Sequence, residues 1–99
     1  MAKITWHGQT LTVVVDRYRN HDNIAVMLTD EIGDPYATAS VNPTYRLPDG
    51  LVAIKNWSEN EGVESALLEA GLLEKSDCNC IPCGMEIANV YRWLGEAPA

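Results

Sequence analysis

Short runs of alternating apolar and polar residues fill the first half of the chain. The alternation is clearest in Gln9–Tyr18, where Leu11, Val13 and Val15 occupy every second position. Such a period of two is typical of a β-strand with one buried face. Glycine, asparagine, aspartate and proline separate the runs at turns. The pattern predicts strands at Lys3–Trp6, Gln9–Tyr18, Ile24–Thr29, Tyr36–Val41 and Leu51–Ile54.

One stretch, Ser58–Gly71, has helical periodicity instead. Ser58 and Glu61 have the spacing of a capping box, which predicts the start of the helix there. Gly71 stands where a left-handed residue would end the helix, with the apolar Leu72 after it. The predicted buried stripe is Val63, Ala66, Leu67 and Ala70. On a helical wheel, Leu68 falls off this stripe and between Glu61 and Glu64.

The C-terminal part of the chain is harder to assign. After Gly71 the pattern predicts a polar loop that carries the cysteines. Met85–Leu94 fits either a helix or a strand, and its alternation and β-branched and aromatic content favour a strand that returns to the sheet. The predicted class is therefore α+β, an antiparallel β-meander of about five to six strands with one α-helix packed on a face. We expect residues 1–99 to form a single domain.

The charge composition limits the possible partners. Fourteen acidic residues against seven basic ones give a formal net charge of −7 on 99 residues. A charge of this sign repels nucleic acid phosphates and anionic membranes, and it attracts basic protein surfaces. The start of the chain has no apolar leader, and no stretch has the length of a membrane span. We therefore expect a cytoplasmic protein whose partner is a protein or nucleoprotein complex with a basic surface.

The three cysteines, Cys78, Cys80 and Cys83, are the most chemical-looking group. Cys80 and Cys83 have C-x-x-C spacing, which suits a metal or a redox dithiol. The second half of a zinc tetrad is missing, because only His7 and His21 could add nitrogen ligands. A loop with free thiols is the favoured interpretation, so no metal or cofactor is expected. A small metal-binding or thiol-redox module built on these cysteines is the alternative function.

The common catalytic motifs are missing from the sequence. The histidines are both in predicted turns, and neither is followed by glutamate at the spacing of metalloproteases or deaminases. The glycines occur singly, so no phosphate-binding loop is present, and no serine has the context of a nucleophile elbow. These observations favour a protein that is not an enzyme.

The acidic residues give the candidate binding site. Some gather in the turn before the fourth predicted strand and others on the predicted helix, where they surround an exposed leucine. A solvated acidic face is the commoner explanation of such a group, and a contact patch for a basic surface is the sharper one. The predicted partner-binding residues are Asp30, Glu31, Asp34, Glu61, Glu64, Leu68 and Glu69, with Leu68 or a tryptophan as the apolar anchor.

Three segments resemble a known domain family. Asp34–Asn42 contains a "pyAT-SVN" pattern, Ile54–Gly62 contains "K-x-[YW]-S-E-N-E-G", and Leu67–Leu72 contains "EAG". Together they resemble a small, uncharacterised domain family carried by bacteriophages, plasmids and other mobile elements. The resemblance covers the chain from about Thr29 to Leu94. Pro82–Gly84 fits the family's "P-x-G" before its final strand, with a cysteine in the variable position.

The resemblance implies a role but no catalytic residues. Small acidic proteins of mobile elements often inhibit host defence, and anti-CRISPR and anti-restriction proteins are similar to this chain in size and charge. The resemblance therefore implies a phage or mobile-element inhibitor that blocks the basic channel of a host nucleic-acid-handling complex, in the manner of a DNA mimic. This expectation rests on the resemblance and on the net charge.

Overall fold

The structure is a computed structural model that describes residues 2–98, without the side chain of Asn79. These residues form eight antiparallel strands in two four-stranded sheets, together with a 3-10 turn and one short α-helix. The strands are β1 Lys3–Trp6, β2 Gln9–Arg17, β3 Ile24–Thr29, β4 Pro35–Thr38, β5 Ser40–Val41, β6 Leu51–Ile54, β7 Leu73–Cys83 and β8 Glu86–Trp93, and the helix is α1 Val63–Glu69. The α+β class is confirmed, whereas the prediction of five to six strands was too low.

The chain passes from the first sheet to the second at Ala39. The first sheet has the order β1-β2-β3-β4 and the second the order β5-β6-β8-β7. The amide of Ala39 donates to the carbonyl of Val26 in the first sheet, and its carbonyl accepts from the amide of Lys55, just after β6, both at 2.8 Å. The predicted strand Tyr36–Val41 is therefore divided into β4 and β5. The predicted meander holds from β1 to β4 and is interrupted there, because β5 pairs with β6 in the second sheet. In that sheet β8 lies between β6 and β7, so the order again departs from a meander.

The two sheets and α1 enclose the main apolar core. Alternate residues of β2 and β3 point into it, and Val52 and Ile54 of β6 meet them from the second sheet. A smaller apolar cluster covers the opposite face of the second sheet, where Leu47 of the preceding loop packs on Leu51 and Ala53. All four residues of β6 are consequently buried, which makes β6 the centre of the fold.

The start of the helix differs from the prediction. Ser58 has a φ of +56° and opens a 3-10 turn, Ser58–Asn60, and Gly62 with a φ of +96° then reverses the chain before α1. Because of this reversal, Glu61 precedes the helix and cannot occupy the third helical position of a capping box. Asn56 caps the helix instead, since its Oδ1 accepts the amides of Gly62 at 3.2 Å and Glu64 at 3.0 Å.

The end of the helix follows the prediction. Gly71 has a φ of +75°, its amide donates to Leu68, and the amide of Leu72 donates to Leu67. These two bonds form a Schellman motif, in which a left-handed glycine satisfies the last carbonyls. The predicted stripe of Val63, Ala66 and Leu67 is buried. Ala70 is exposed instead, because α1 ends at Glu69 and Ala70 lies in the closing turn.

The predicted cysteine-bearing loop is in fact β7. It pairs with β8 in a long hairpin whose register shifts between Lys75 and Cys80. Within this irregularity the hydroxyl of the buried Ser76 donates to the carbonyls of Cys78 and Val90, each at 2.8 Å. β7 is the edge of its sheet, a position that tolerates Pro82. The favoured strand at Met85–Leu94 is confirmed as β8.

Candidate functional site

Three rings, Trp6, His7 and Tyr36, form what we call the aromatic cluster. The Trp6 and His7 rings are stacked with centroids 4.0 Å apart, and Tyr36 meets Trp6 edge-on at 5.9 Å. The Tyr36 hydroxyl also lies 3.3 Å from Nδ1 of His7. Trp6 belongs to β1 and Tyr36 to β4, the two edge strands of the first sheet. The sheet therefore curls until its edges meet at these rings.

The residues Asp30–Asp34 form an acidic turn between β3 and β4. Oδ1 of Asp30 accepts the amides of Ile32 at 3.0 Å and Asp34 at 2.9 Å, so this carboxylate holds the turn together. Glu31 and Asp34 are exposed. Ile32 stands between them and is 86% exposed, and it was not among the residues predicted from the sequence. The sequence feature that could have indicated its exposure is the position of an apolar residue within a turn that otherwise contains acidic residues and glycine.

The acidic turn and the entry to α1 lie on either side of the aromatic cluster. A surface cavity is lined by Asp30, Glu31 and Ile32 on one side and by Gly8 and Gln9, directly after His7, on the other. On the far side of the cluster, Trp6 packs against Gly62, where an added Cβ would lie 3.3 Å from Nε1 of Trp6. Glu61 precedes this glycine and is exposed. The acidic turn and Glu61 thus lie next to different parts of the aromatic cluster, the turn beside the residues that follow His7 and Glu61 beside the glycine that contacts Trp6.

Glu64 has an internal role that its place on the predicted helix did not indicate. Its two carboxylate oxygens accept the Asn89 amide at 3.1 and 3.2 Å, and Oε2 accepts the Tyr91 hydroxyl at 2.9 Å. These bonds connect α1 to β8. Burial, followed by the hydrogen bond and the negative charge of Glu64, raises the pKa of Tyr91 to about 12. This carboxylate is therefore already engaged within the fold.

Leu68 and Glu69, the remaining residues of the predicted patch, lie on α1 and point in different directions around its axis. Leu68 is 42% exposed, as its position off the stripe predicted. It follows Glu64 by one helical turn, whereas Glu69 is rotated from Glu64 by about 140° around the axis. Because Glu61 lies before α1, it does not frame Leu68 as predicted. Among the tryptophans, Trp6 and Trp93 are buried, and Trp57 is half-buried.

Charge is unevenly distributed over the molecule. At the β2–β3 end of the first sheet, Arg46 pairs with Asp49 at 2.8 Å and Asp22 at 3.6 Å. The same group contains Arg17, Arg19 and Asp16. Its three basic and three acidic residues cancel, so the whole negative excess lies in the rest of the chain. In the part of the chain that the structure describes, four acidic residues make no ion pair with a cation, namely Glu31, Asp34, Glu61 and Glu69.

The three cysteines lie along β7 as free thiols. Cys80 is exposed, while Cys78 and Cys83 are half-buried and pack on the smaller apolar cluster. Within residues 2–98, no three His, Cys, Asp or Glu side chains are grouped as ligands for a metal ion. No helix in this range combines the length and the apolar character needed to cross a membrane.

Comparisons with protein-family models, with curated proteins and with solved structures give no match for this chain. The resemblance to a domain family of mobile elements therefore stays a prediction from the sequence.

The contact between Glu64 and Tyr91 predicts a specific pH dependence. Tyr91 should ionise at about pH 12, against an ordinary value of 10.0. The folded state holds this proton more tightly than the unfolded state does. Its contribution to stability is therefore complete below pH 10 and is lost as the pH rises toward 12. The measurement is tyrosinate absorbance during alkaline titration. The late step, which is the ionisation of Tyr91, is identified by its loss in the variant Tyr91→Phe.

Glu64→Gln is the matched variant for this titration. It removes the carboxylate charge and weakens the hydrogen bond, so the pKa of Tyr91 should fall toward 10.0. Burial is the largest cause of the shift and remains, so the fall should be partial. An unchanged late step in this variant would show that Glu64 does not act on Tyr91.

Proposed function

We propose that the protein is a non-enzymatic, acidic inhibitor from a phage or other mobile element. It binds the basic nucleic-acid-binding surface of a host defence complex, in the manner of anti-CRISPR proteins. The observation that carries this proposal is the group of exposed carboxylates, Glu31, Asp34 and Glu61, around the aromatic cluster, without ion-pair partners among the described residues. The sequence resemblance adds the expectation of a mobile-element origin.

Two physical properties of this surface suit the proposed role. Unpaired carboxylates create a negative potential that accelerates encounter with a basic partner and selects against acidic ones. Ile32 adds an exposed apolar side chain in the middle of the charge, and such side chains become the anchors of protein interfaces. A surface with both properties competes with nucleic acid for a groove lined by lysine and arginine.

Charge reversal at this surface tests the proposal. The triple variant Glu31→Lys, Asp34→Lys, Glu61→Lys should no longer capture, from bacterial host lysate, a nucleoprotein complex that has a basic surface. Its unfolding midpoint should change little. These side chains are exposed and make no ion pair among the described residues, so folding does not depend on them. Capture is measured by affinity purification followed by mass spectrometry.

The matched control carries the same change in net charge elsewhere. Asp77→Lys, Glu86→Lys, Glu96→Lys replaces three exposed acids that lie outside the proposed surface. This control should retain the captured complex. Equal loss in both triple variants would mean that net charge alone governs binding, and capture of no nucleoprotein complex by the unmodified protein would refute the proposed target.

A further inference from the structure

The residues 94–98, which we call the C-terminal strap, follow β8 and fold back over the edge of the main core. Trp93 ends β8 and belongs to this core, with 8% of the residue exposed. The amide of Leu94 donates to the carbonyl of Leu72 at 2.9 Å, which continues the pairing of β7 with β8. The indole Nε1 of Trp93 then donates to the carbonyl of Glu96 at 2.8 Å. The strap therefore turns across the Trp93 ring.

Gly95 is the point at which the strap touches the core. A Cβ added to Gly95 would lie 2.6 Å from Cζ2 and 2.9 Å from Cε2 of Trp93, and 3.2 Å from Cδ2 of Leu72. Carbon atoms in contact prefer a separation of about 3.5–4.0 Å, so a larger residue would collide with the ring. The other six glycines have a positive φ, whereas Gly95 does not. Glycine is therefore needed at position 95 because it has no side chain, and not because of its backbone conformation.

The strap buries little of its own side-chain surface. Leu94 is 47% exposed, and Glu96 and Ala97 are also exposed. A segment with few buried apolar contacts opens at a lower free-energy cost than the fold as a whole. Loss of the indole hydrogen bond adds little to this cost, because water replaces the carbonyl of Glu96 once the strap has moved away. The closed strap is therefore held by a small number of weak contacts.

We propose that the C-terminal strap opens and closes over Trp93 while the two sheets stay folded. In the closed state the strap covers Trp93 and Leu72, which are 8% and 7% exposed. In the open state the indole N–H of Trp93 and the apolar surface of both residues reach solvent. The strap thus controls the exposure of a tryptophan that belongs to the main core. This inference does not depend on the proposed inhibitor role.

The test is hydrogen exchange of the Trp93 indole N–H, followed by NMR in the full chain at rising urea concentrations below the unfolding transition. The indole signal is assigned by its loss in the variant Trp93→Phe. Its exchange rate should stay within about twofold over this range, since a local opening exposes little surface to urea. The amide of Val52, a fully buried residue of β6, should exchange through global unfolding, so its rate should rise steeply. An equal urea dependence of the two protons would overturn the proposal.

Gly95→Ala is the variant that favours the open strap. The added methyl group collides with the Trp93 ring in the closed state only, so indole exchange should accelerate about tenfold. Glu96→Ala is the matched control in the same segment. The acceptor of the indole hydrogen bond is the backbone carbonyl of Glu96, and its side chain is exposed. Indole exchange in this control should therefore lie within about twofold of the unmodified protein.

Two results with the variants would contradict the strap. One is an equal rate of indole exchange in Gly95→Ala and Glu96→Ala. The other is faster indole exchange in Gly95→Ala that rises with urea as steeply as the exchange of the Val52 amide, because the ring would then be exposed by unfolding of the whole chain. The measurement on the unmodified protein needs no substitution, so it decides the proposal even if Gly95→Ala does not fold.

Discussion

Leu67→Ala is expected to lower the free energy of unfolding by about 3 kcal/mol, a typical cost for truncating a buried leucine. Leu67 is fully buried and belongs to the main core together with Val63 and Ala66 of the same helix. α1 has only seven residues, which is too short to be stable in isolation, so its packing holds it in place. The loss is measured as a shift of the urea midpoint at constant slope.

The neighbouring residue provides the matched control. Leu68→Ala makes the same chemical change in the same helix, but Leu68 is 42% exposed. Its cost should stay below about 1 kcal/mol, because most of the side chain is not removed from a packed core. Helix propensity changes equally in both variants and cancels from the comparison. Similar losses at both positions would contradict the burial of the stripe and the orientation of α1.

The sequence predicted that Leu67 is buried and Leu68 exposed, because the helical period alone places the two leucines on different faces. The alternation of β2 and β3 was equally informative, since each strand has one face in the core. The division between β4 and β5 was not visible. Ala39 continues the alternation without a break, and the switch between sheets depends on its hydrogen bonds to residues that are distant in sequence.

The errors at β7 and at the helix entry have separate physical reasons. β7 is an edge strand rich in polar residues and contains a proline, which are features of a loop when tertiary pairing is unknown. At the helix entry, Ser58 and Glu61 have the right spacing, but the left-handed Gly62 takes Glu61 out of the helix. Local sequence gives no sign that Asn56 supplies the cap.

The candidate site was only partly predictable for a similar reason. The acids of the Asp30–Asp34 turn are local in sequence, and they are found together on the surface. Glu64 was predicted to face a partner, yet its hydrogen-bonding groups on β8 lie 25 and 27 residues away. The aromatic cluster depends on the curl of the first sheet, which brings Tyr36 to Trp6. Periodicity identifies exposed faces, whereas pairing across the fold decides which exposed groups are free.

Asn23 makes hydrogen bonds of this long-range kind from a buried position, since the residue is 4% exposed. Its Nδ2 donates to Oδ1 of Asn42 and to the carbonyl of Tyr45, both at 2.9 Å. Its Oδ1 accepts the amide of Leu47 at 2.8 Å. One side chain thus fixes the loop between β5 and β6, and with it the position of Leu47 over the smaller apolar cluster.

Asn23→Ala is therefore expected to lower the free energy of unfolding by about 3 kcal/mol, since it leaves buried backbone groups of the loop without partners. Asn23→Asp should cost a similar amount at neutral pH, because a carboxylate keeps the bond from Leu47 and faces two acceptors where the amide had donated. Protonation of the carboxylate at low pH restores one donor, so the loss of stability in Asn23→Asp relative to the unmodified protein should shrink there.

Asn42→Ala is the control, with an expected cost of about 1 kcal/mol for a half-buried side chain. If Asn23→Ala cost no more than Asn42→Ala in urea unfolding, the loop would be held by Leu47 packing and not by the buried amide.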